Sequence, residues 1–284
     1  ASTKEPDNPP DEPLTVIKKQ VNEVNLVFTV TDKRGRFIKD LKQNDFRVLD
    51  DSKPPSSVVN FGSETNLPLR VGLLVDASNS MAHRDGAYTK LDYARLLAGS
   101  LGWLAHMQGD SFGLYTFQEG NVFTLPSRKD PQHLARFFYQ LESLRPGGRM
   151  GEPSQYKHVF TGERKRELLV FITDMYQRNG EISRLLELLV ALRHEVIVFH
   201  LVGKNELEMD YKGYLRLKDL ETGEQIPFSG QQGQKEYMQR MQDWLAAVRM
   251  QILDKQIAYT MVRMDQAPGE VLRDFLKQRQ KIIG

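Results

Sequence analysis

Cysteine is absent from all 284 residues. Its absence removes disulfides, thiol nucleophiles and zinc–thiolate sites from consideration. It leaves the compartment open, since exported and cytosolic proteins alike can do without it. Long apolar runs are also missing. "VIVFHLV" at 196–202 falls far short of the roughly 20 residues a membrane helix needs, and reads as a buried strand. Charge of one sign is scarce, with a net of only +2, so the chain as a whole offers no electrostatic reason to bind nucleic acid. Local basic clusters, "RKD" from 128 and "GERKRE" from 162, read as solvated faces. The familiar catalytic signatures are lacking as well: no phosphate loop, no Gly-x-Gly-x-x-Gly, no His-Glu-x-x-His and no Gly-x-Ser-x-Gly. The six histidines (His83, His106, His133, His158, His194 and His200) are scattered without metal-ligand spacing. Tryptophan is rare, and Trp103, Trp244 and the methionines of 238–250 read as core stripe.

What is present suits a globular α/β protein. Hydrophobic residues make up 40% and charged residues 27%, enough apolar material for a sizeable core. The first 14 residues, with Pro6, Pro9, Pro10 and Pro13 among acids, read as a disordered tail, with no signal peptide visible. Residues 15–66 favour short strands. "NLVFTVTD" alternates through Leu26, Phe28 and Val30, "DFRVLDD" through Phe46 and Val48, and "SVVNF" follows after a proline turn. This predicts a small antiparallel β, sandwich-like module. From residue 67 to 284 the pattern switches to strand–helix alternation. Apolar strands end near 76, 117, 173 and 202, and helices are expected over 89–107, 131–144, 181–195, 234–255 and the C-terminus. "LRLKDLETGEQIPF" reads as a hairpin turning near Thr222 and Gly223. The alternation predicts an open, mostly parallel Rossmann-like sheet with helices on both faces.

One stretch carries chemistry. In "LLVDASNSM" an apolar strand ends in Asp76, Ser78 and Ser80, three oxygen side chains at alternating positions. They either cap the loop and the next helix or converge on a hard cation. Asp-x-Ser-x-Ser after a strand and before a helix resembles the metal-ion-dependent adhesion site of von Willebrand factor type A domains. That resemblance implies a sheet whose order reverses beside the first strand, a site at the carboxyl ends of the strands, and Asp174 of "LLVFITD" as a further ligand. Asp76, Ser78, Ser80 and Asp174 would then offer an all-oxygen set to Mg²⁺ or Mn²⁺. The family places a Thr in a Gly-Gly-Thr loop, whereas here Gly147 and Gly148 are followed by Arg149. Arg149 either points away or pairs with Asp76 or Asp174 in place of a metal. Arg149, Gly148 and His83 are the expected partner-binding rim.

Residues 81–284 further resemble an uncharacterised bacterial family commonly encoded beside MoxR-type AAA+ ATPases, on "TKLDYARLLAGSLGWLAHMQGDSFGLYTF", "FITDMYQ" and "IAYTMVRMDQAPGEVLRDFL". Residues 15–80 resemble acidobacterial-type, von Willebrand A-related proteins, which are usually exported. The expected function is a non-enzymatic module binding a protein partner's carboxylate through the rim cation. A cation-independent scaffold, such as an adaptor for an AAA+ ATPase, is the alternative. A hydrolase built on Ser80, His83 and Asp174 ranks below both, because nucleophile and base would lie three residues apart on one loop with no oxyanion hole suggested.

Overall fold

The computed structural model describes residues 69–118, 121–161, 166–209 and 214–283, with scattered positions between 30 and 61. The chain divides into two compact units, residues 1–65 and 66–284. In the first unit the expected strand over 25–32 and most of the N-terminal β module lie outside the described residues. Within them, Ile38 N donates to Val30 O at 3.1 Å, and a 3₁₀ turn spans Gln43–Asp45. Phe46 after it is extended, and Phe46 and Val48 are half-buried while Arg47 and Leu49 are exposed. Phe46 lies against Phe61, ring centroids 5.5 Å apart.

The second unit contains strands β1 (Arg70–Asp76), β4 (Ser111–Gln118), β5 (Asn121–Arg128), β6 (Leu168–Thr173), β7 (Glu195–Val202) and β10 (Ala258–Arg263) in one six-stranded sheet. Two small hairpins stand apart from it, β2 (Arg84–Asp85) with β3 (Tyr88–Thr89), and β8 (Tyr214–Lys218) with β9 (Gln225–Ser229). The helices are α1 (Lys90–Met107), α2 (His133–Ser143), α3 (Lys157–Thr161), α4 (Glu181–Ala191), α5 (Lys204–Glu208), α6 (Gly230–Asp254) and α7 (Pro268–Ile283). The sheet order is β10-β7-β6-β1-β4-β5, parallel except for the edge strand β5. Among the described residues no helix is long and apolar enough to cross a membrane.

Continuous apolar strands follow from burial on both faces. Side chains of β1 alternate sides: Leu73 and Val75 face a core shared with Leu97 of α1, Phe137 of α2 and Leu272 of α7. Leu74 faces the opposite core, with Phe160 of α3, Leu185 and Leu189 of α4 and Ile252 of α6. Leu73, Leu74 and Val75 are wholly buried, each contributing about 1.5–3 kcal/mol by leaving water. Such burial fixes the strand register, and the register fixes where each strand ends. β1 pairs with β6 from Val71↔Leu168 to Val75↔Ile172, so Asp76 and Asp174, just past that pairing, come to neighbouring strand ends. Between β4 on one side and β6 on the other, β1 is the point where the chain order reverses.

Candidate functional site

The β1–α1 connection builds the floor of the site. Asp76 is fully buried, and its Oδ1 accepts from Ser78 N at 2.9 Å while its Oδ2 accepts from Thr173 Oγ1 at 2.7 Å. Ser78 Oγ and Ser80 Oγ are 3.0 Å apart. Ser80 Oγ donates to Asp174 Oδ1 at 3.2 Å, which also accepts from Tyr176 N at 3.1 Å. The structure therefore brings Asp76, Ser78, Ser80 and Asp174 into one buried cluster. Neither serine side chain caps a helix: the cap of α1 is Thr89, whose Oγ1 accepts from Asp92 N at 3.0 Å while Asp92 Oδ2 accepts from Thr89 N at 3.1 Å.

The glycine loop runs alongside this floor. Gly147 N donates to Ala77 O and Asn79 N to Gly148 O, each at 2.9 Å. Gly148 takes a φ of +62°, a left-handed conformation that glycine adopts without a Cβ penalty. Arg149, next in the chain, does not reach Asp76 or Asp174. Its Nε lies 4.0 Å from Glu221 Oε2, and its side chain is 41% exposed. Of the two placements expected for Arg149, pointing away or pairing with Asp76 or Asp174, the structure shows the first, and a lysine supplies the counter-charge to Asp174.

That lysine is Lys90, the first residue of α1. Its Nζ donates to Asp174 Oδ2 at 3.0 Å and to Glu206 Oε1 at 2.8 Å, and its side chain is 6% exposed. A cation at the N-terminus of a helix opposes the backbone dipole, and burial alone pushes Lys90 down. The two carboxylates outweigh burial and hold the ammonium above the usual lysine range. Reciprocally, burial pushes Asp174 up, but Lys90 and the Tyr176 amide outweigh it and hold it below the usual carboxylate range. Asp76 gets no such cation. Burial and the neighbouring Asp174 push it up to about 6, against hydrogen bonds from Ser78 and Thr173.

His83 sits at the rim with its Nε2 2.8 Å from Asn205 Oδ1 and 4.0 Å from Glu206 Oε2. It is hydrogen-bonded to the α5 turn, and no contact with Ser80 Oγ occurs among the described residues. Ser80 Oγ is engaged by Ser78 and Asp174, so the pairing a serine hydrolase needs is not made. Buried His200, paired with the Tyr259 hydroxyl at 2.8 Å, is pushed down to about 4, chiefly by burial.

A fourth acidic side chain joins Asp76, Asp174 and Glu206. The β8–β9 turn places Glu221 with its side chain 5% exposed. Burial, Asp76 and Asp174 push it up to about 7, partly offset by Arg149. Sequence reasoning missed Lys90, Thr173, Glu206 and Glu221. Lys90 carried a readable signal, a lysine at the first position of an amphipathic helix beside a carboxylate motif. Glu221, in a turn rich in charge, looks like any solvated residue.

The donor set suits a hard cation: carboxylate and hydroxyl oxygens, with four acids (Asp76, Asp174, Glu206 and Glu221) facing two side-chain cations, Lys90 and Arg149. Among the described residues no three acidic or histidine side chains form a metal cluster by themselves. Any ion would be shared between Asp76 and Asp174 and the hydroxyls of Ser78 and Ser80, with water completing its shell.

A parallel sheet reversing at β1, helices on both faces and Asp-x-Ser-x-Ser at that strand's end are the features of a von Willebrand factor A-like fold. The chain belongs to the family described as "Protein of unknown function DUF58", whose model matches residues 61–246. Similar solved structures include the conserved hypothetical protein BatB from Bacteroides thetaiotaomicron, 18% identical over 75% of this chain and 99% of that one, TM-score 0.45. An aerotolerance-related membrane protein from Bacteroides fragilis NCTC 9343 is 19% identical with the same coverage, TM-score 0.48. The SpRpn10 VWA domain is 9% identical over 73% of this chain and 95% of that domain, TM-score 0.43. Among curated proteins none matches the chain.

Proposed function

We propose that this protein is a non-enzymatic interaction module that binds a protein partner's carboxylate through Mg²⁺ or Mn²⁺ held by Asp76, Ser78, Ser80 and Asp174. The observation that carries this reading is the buried convergence of those four side chains, beside which, among the described residues, Lys90 and Arg149 are the side-chain cations facing four acids. A divalent ion would supply the missing charge and an open position for an incoming oxygen. The test is thermal unfolding of the full chain with and without millimolar Mg²⁺. Saturation at 100 times Kd stabilises the native state by about 2.7 kcal/mol. A shift of that order, lost in Asp76→Ala, supports the reading; an unmoved wild type sinks it.

A second reading has its own support. Lys90 already places an ammonium on Asp174, so the rim also fits a cation-independent scaffold that presents Arg149 and loop backbone to a partner. An AAA+ ATPase of the MoxR type is the partner class for that version. The same titration separates the two, because the scaffold predicts partner binding indifferent to chelator.

A further inference from the structure

The β8–β9 turn is more tightly built than a solvated loop requires. Asp219 organises it: its Oδ1 accepts from Glu221 N at 2.8 Å and Thr222 N at 2.9 Å. Asp219 O accepts from Gly223 N at 2.8 Å, and Gly223 takes a φ of +74°. The other carboxylate oxygen of Asp219 accepts from Tyr176 Oη at 2.7 Å, and Tyr176 N donates to Asp174 Oδ1. One residue therefore ties the tip of the hairpin to the loop that leaves the site. The same geometry turns Glu221 inward.

The Glu221 side chain, 5% exposed, accepts no hydrogen bond among the described residues. Its nearest cation is Arg149 Nε at 4.0 Å, on a half-exposed side chain. After burial itself, Asp76 and then Asp174 raise its pKa most, with Asp219 adding a smaller push. Turning a carboxylate out of water toward two others is unfavourable, and a turn residue is free to point the other way. The inward placement makes physical sense if the position is one where a carboxylate is wanted once a cation is bound.

We infer that Glu221 is an internal competitor for the rim: the β8–β9 hairpin holds its own carboxylate over the Asp76–Ser78–Ser80–Asp174 cluster, and a partner's carboxylate must displace it. The inference rests on the cation reading proposed above. It makes the hairpin an autoinhibitory cap, with Tyr176–Asp219 as its fastening. A competitor that fills the site nine-tenths of the time weakens an incoming carboxylate about tenfold, by the fraction of molecules left open.

The experiment uses the full chain, Mn²⁺ and a blocked Gly-Glu-Gly peptide as the carboxylate probe. Calorimetry first measures Mn²⁺ binding to wild type, Asp76→Ala and Glu221→Gln. Peptide binding to the Mn²⁺-loaded proteins is then measured. The expected result is Asp76-dependent Mn²⁺ binding in wild type, with peptide affinity about tenfold higher in Glu221→Gln. Tyr176→Phe, which releases the fastening and keeps Glu221, should raise it by a smaller factor. Asp76-dependent Mn²⁺ binding with equal peptide affinity in wild type and Glu221→Gln would overturn the cap and leave the cation reading standing. No Asp76-dependent Mn²⁺ binding in either protein would overturn both.

Discussion

The two ends of the same sheet handle buried acids differently. At the end where the parallel strands begin, each buried carboxylate has found a partner. Glu167 lies 3.3 Å from Arg70 Nε and accepts from the Tyr115 hydroxyl at 3.2 Å, and Asp110 Oδ1 accepts from Leu69 N at 2.8 Å. At the end where they finish, Lys90 is shared between Asp174 and Glu206, Arg149 only approaches Glu221, and Asp76 relies on hydroxyl and amide donors. Both ends are made by the same strands and register, so the contrast is chemical. One rim pairs Glu167 with a guanidinium; the other, among the described residues, sets four acids against Lys90 and Arg149, an excess of negative charge that a cation would offset.

The harshest way to break this contrast is to remove Lys90. Lys90→Met keeps the apolar stem but strips the counter-charge from Asp174 and Glu206, and breaking a buried pair on one side costs about 3–5 kcal/mol. Urea denaturation in chelator should show a loss of that size, part of it recovered by Mg²⁺. Arg70→Leu at the opposite end should cost less, about 1–3 kcal/mol, and recover nothing with Mg²⁺. Equal losses and equal indifference to Mg²⁺ would erase the difference between the rims.

A gentler probe is pH. Asp76 in the native state is pushed up to about 6 and Glu221 to about 7, both above their ordinary values. A carboxylate whose folded pKa is raised binds its proton more tightly when folded, so acidification through that window favours the native state. In chelator these two acids should raise the unfolding free energy between pH 7.5 and 5, while buried His200, pushed down to about 4, and His194, held below its ordinary value, work against them in the same window. The share of the acids is read as the difference between wild type and an Asp76→Asn/Glu221→Gln double variant, about 1–3 kcal/mol. Asp174, held low by Lys90, opposes this only below the ordinary carboxylate range. Millimolar Mg²⁺ should flatten the rise by stabilising the ionised acids. A wild type that gains no more over this window than the Asp76→Asn/Glu221→Gln variant would mean the rim is already neutralised.

Much of this fold was legible in the residues. The apolar runs ending at Asp76 and Asp174, with amphipathic helices between them, are enough to put both acids at one rim of a parallel sheet. The reversed edge strand β5 follows from the short connection after β4, which has no room for a crossover. Helix ends were less legible: α4 stops at Ala191, before the expected 195, as Arg193 turns into a left-handed conformation with φ +65°. The site was half legible. Asp76, Ser78 and Ser80 announce themselves by alternation at a strand end, and Asp174 followed from the family resemblance. Lys90, Glu206 and Glu221 come from elements up to 131 residues apart, and their meeting depends on helix and hairpin placement that no local pattern encodes. Arg149 shows the limit. The sequence left open whether it points away or pairs with Asp76 or Asp174, because the acid it approaches comes from a turn with no periodic signal.

Arg149 also supplies the smallest test of the contrast. Its side chain is 41% exposed and 4.0 Å from Glu221, so water screens the attraction and the pair is worth under about 1 kcal/mol. Arg149→Thr should therefore leave the metal-free melting temperature nearly unchanged. Its effect should appear on the cation instead. The guanidinium adds positive charge near the rim, and its removal lowers the repulsion an incoming Mg²⁺ meets; at an effective dielectric near 20 and a separation of about 8 Å that repulsion is of order 2–4 kcal/mol before screening. The new hydroxyl adds an oxygen in the loop beside Ala77 and Asn79. Calorimetry should find Mg²⁺ bound several-fold more tightly by Arg149→Thr than by wild type. Weaker Mg²⁺ binding in the variant would mean that Arg149 serves the cation by restraining Glu221, and that charge near the open rim is balanced more closely than the comparison of the two ends implies.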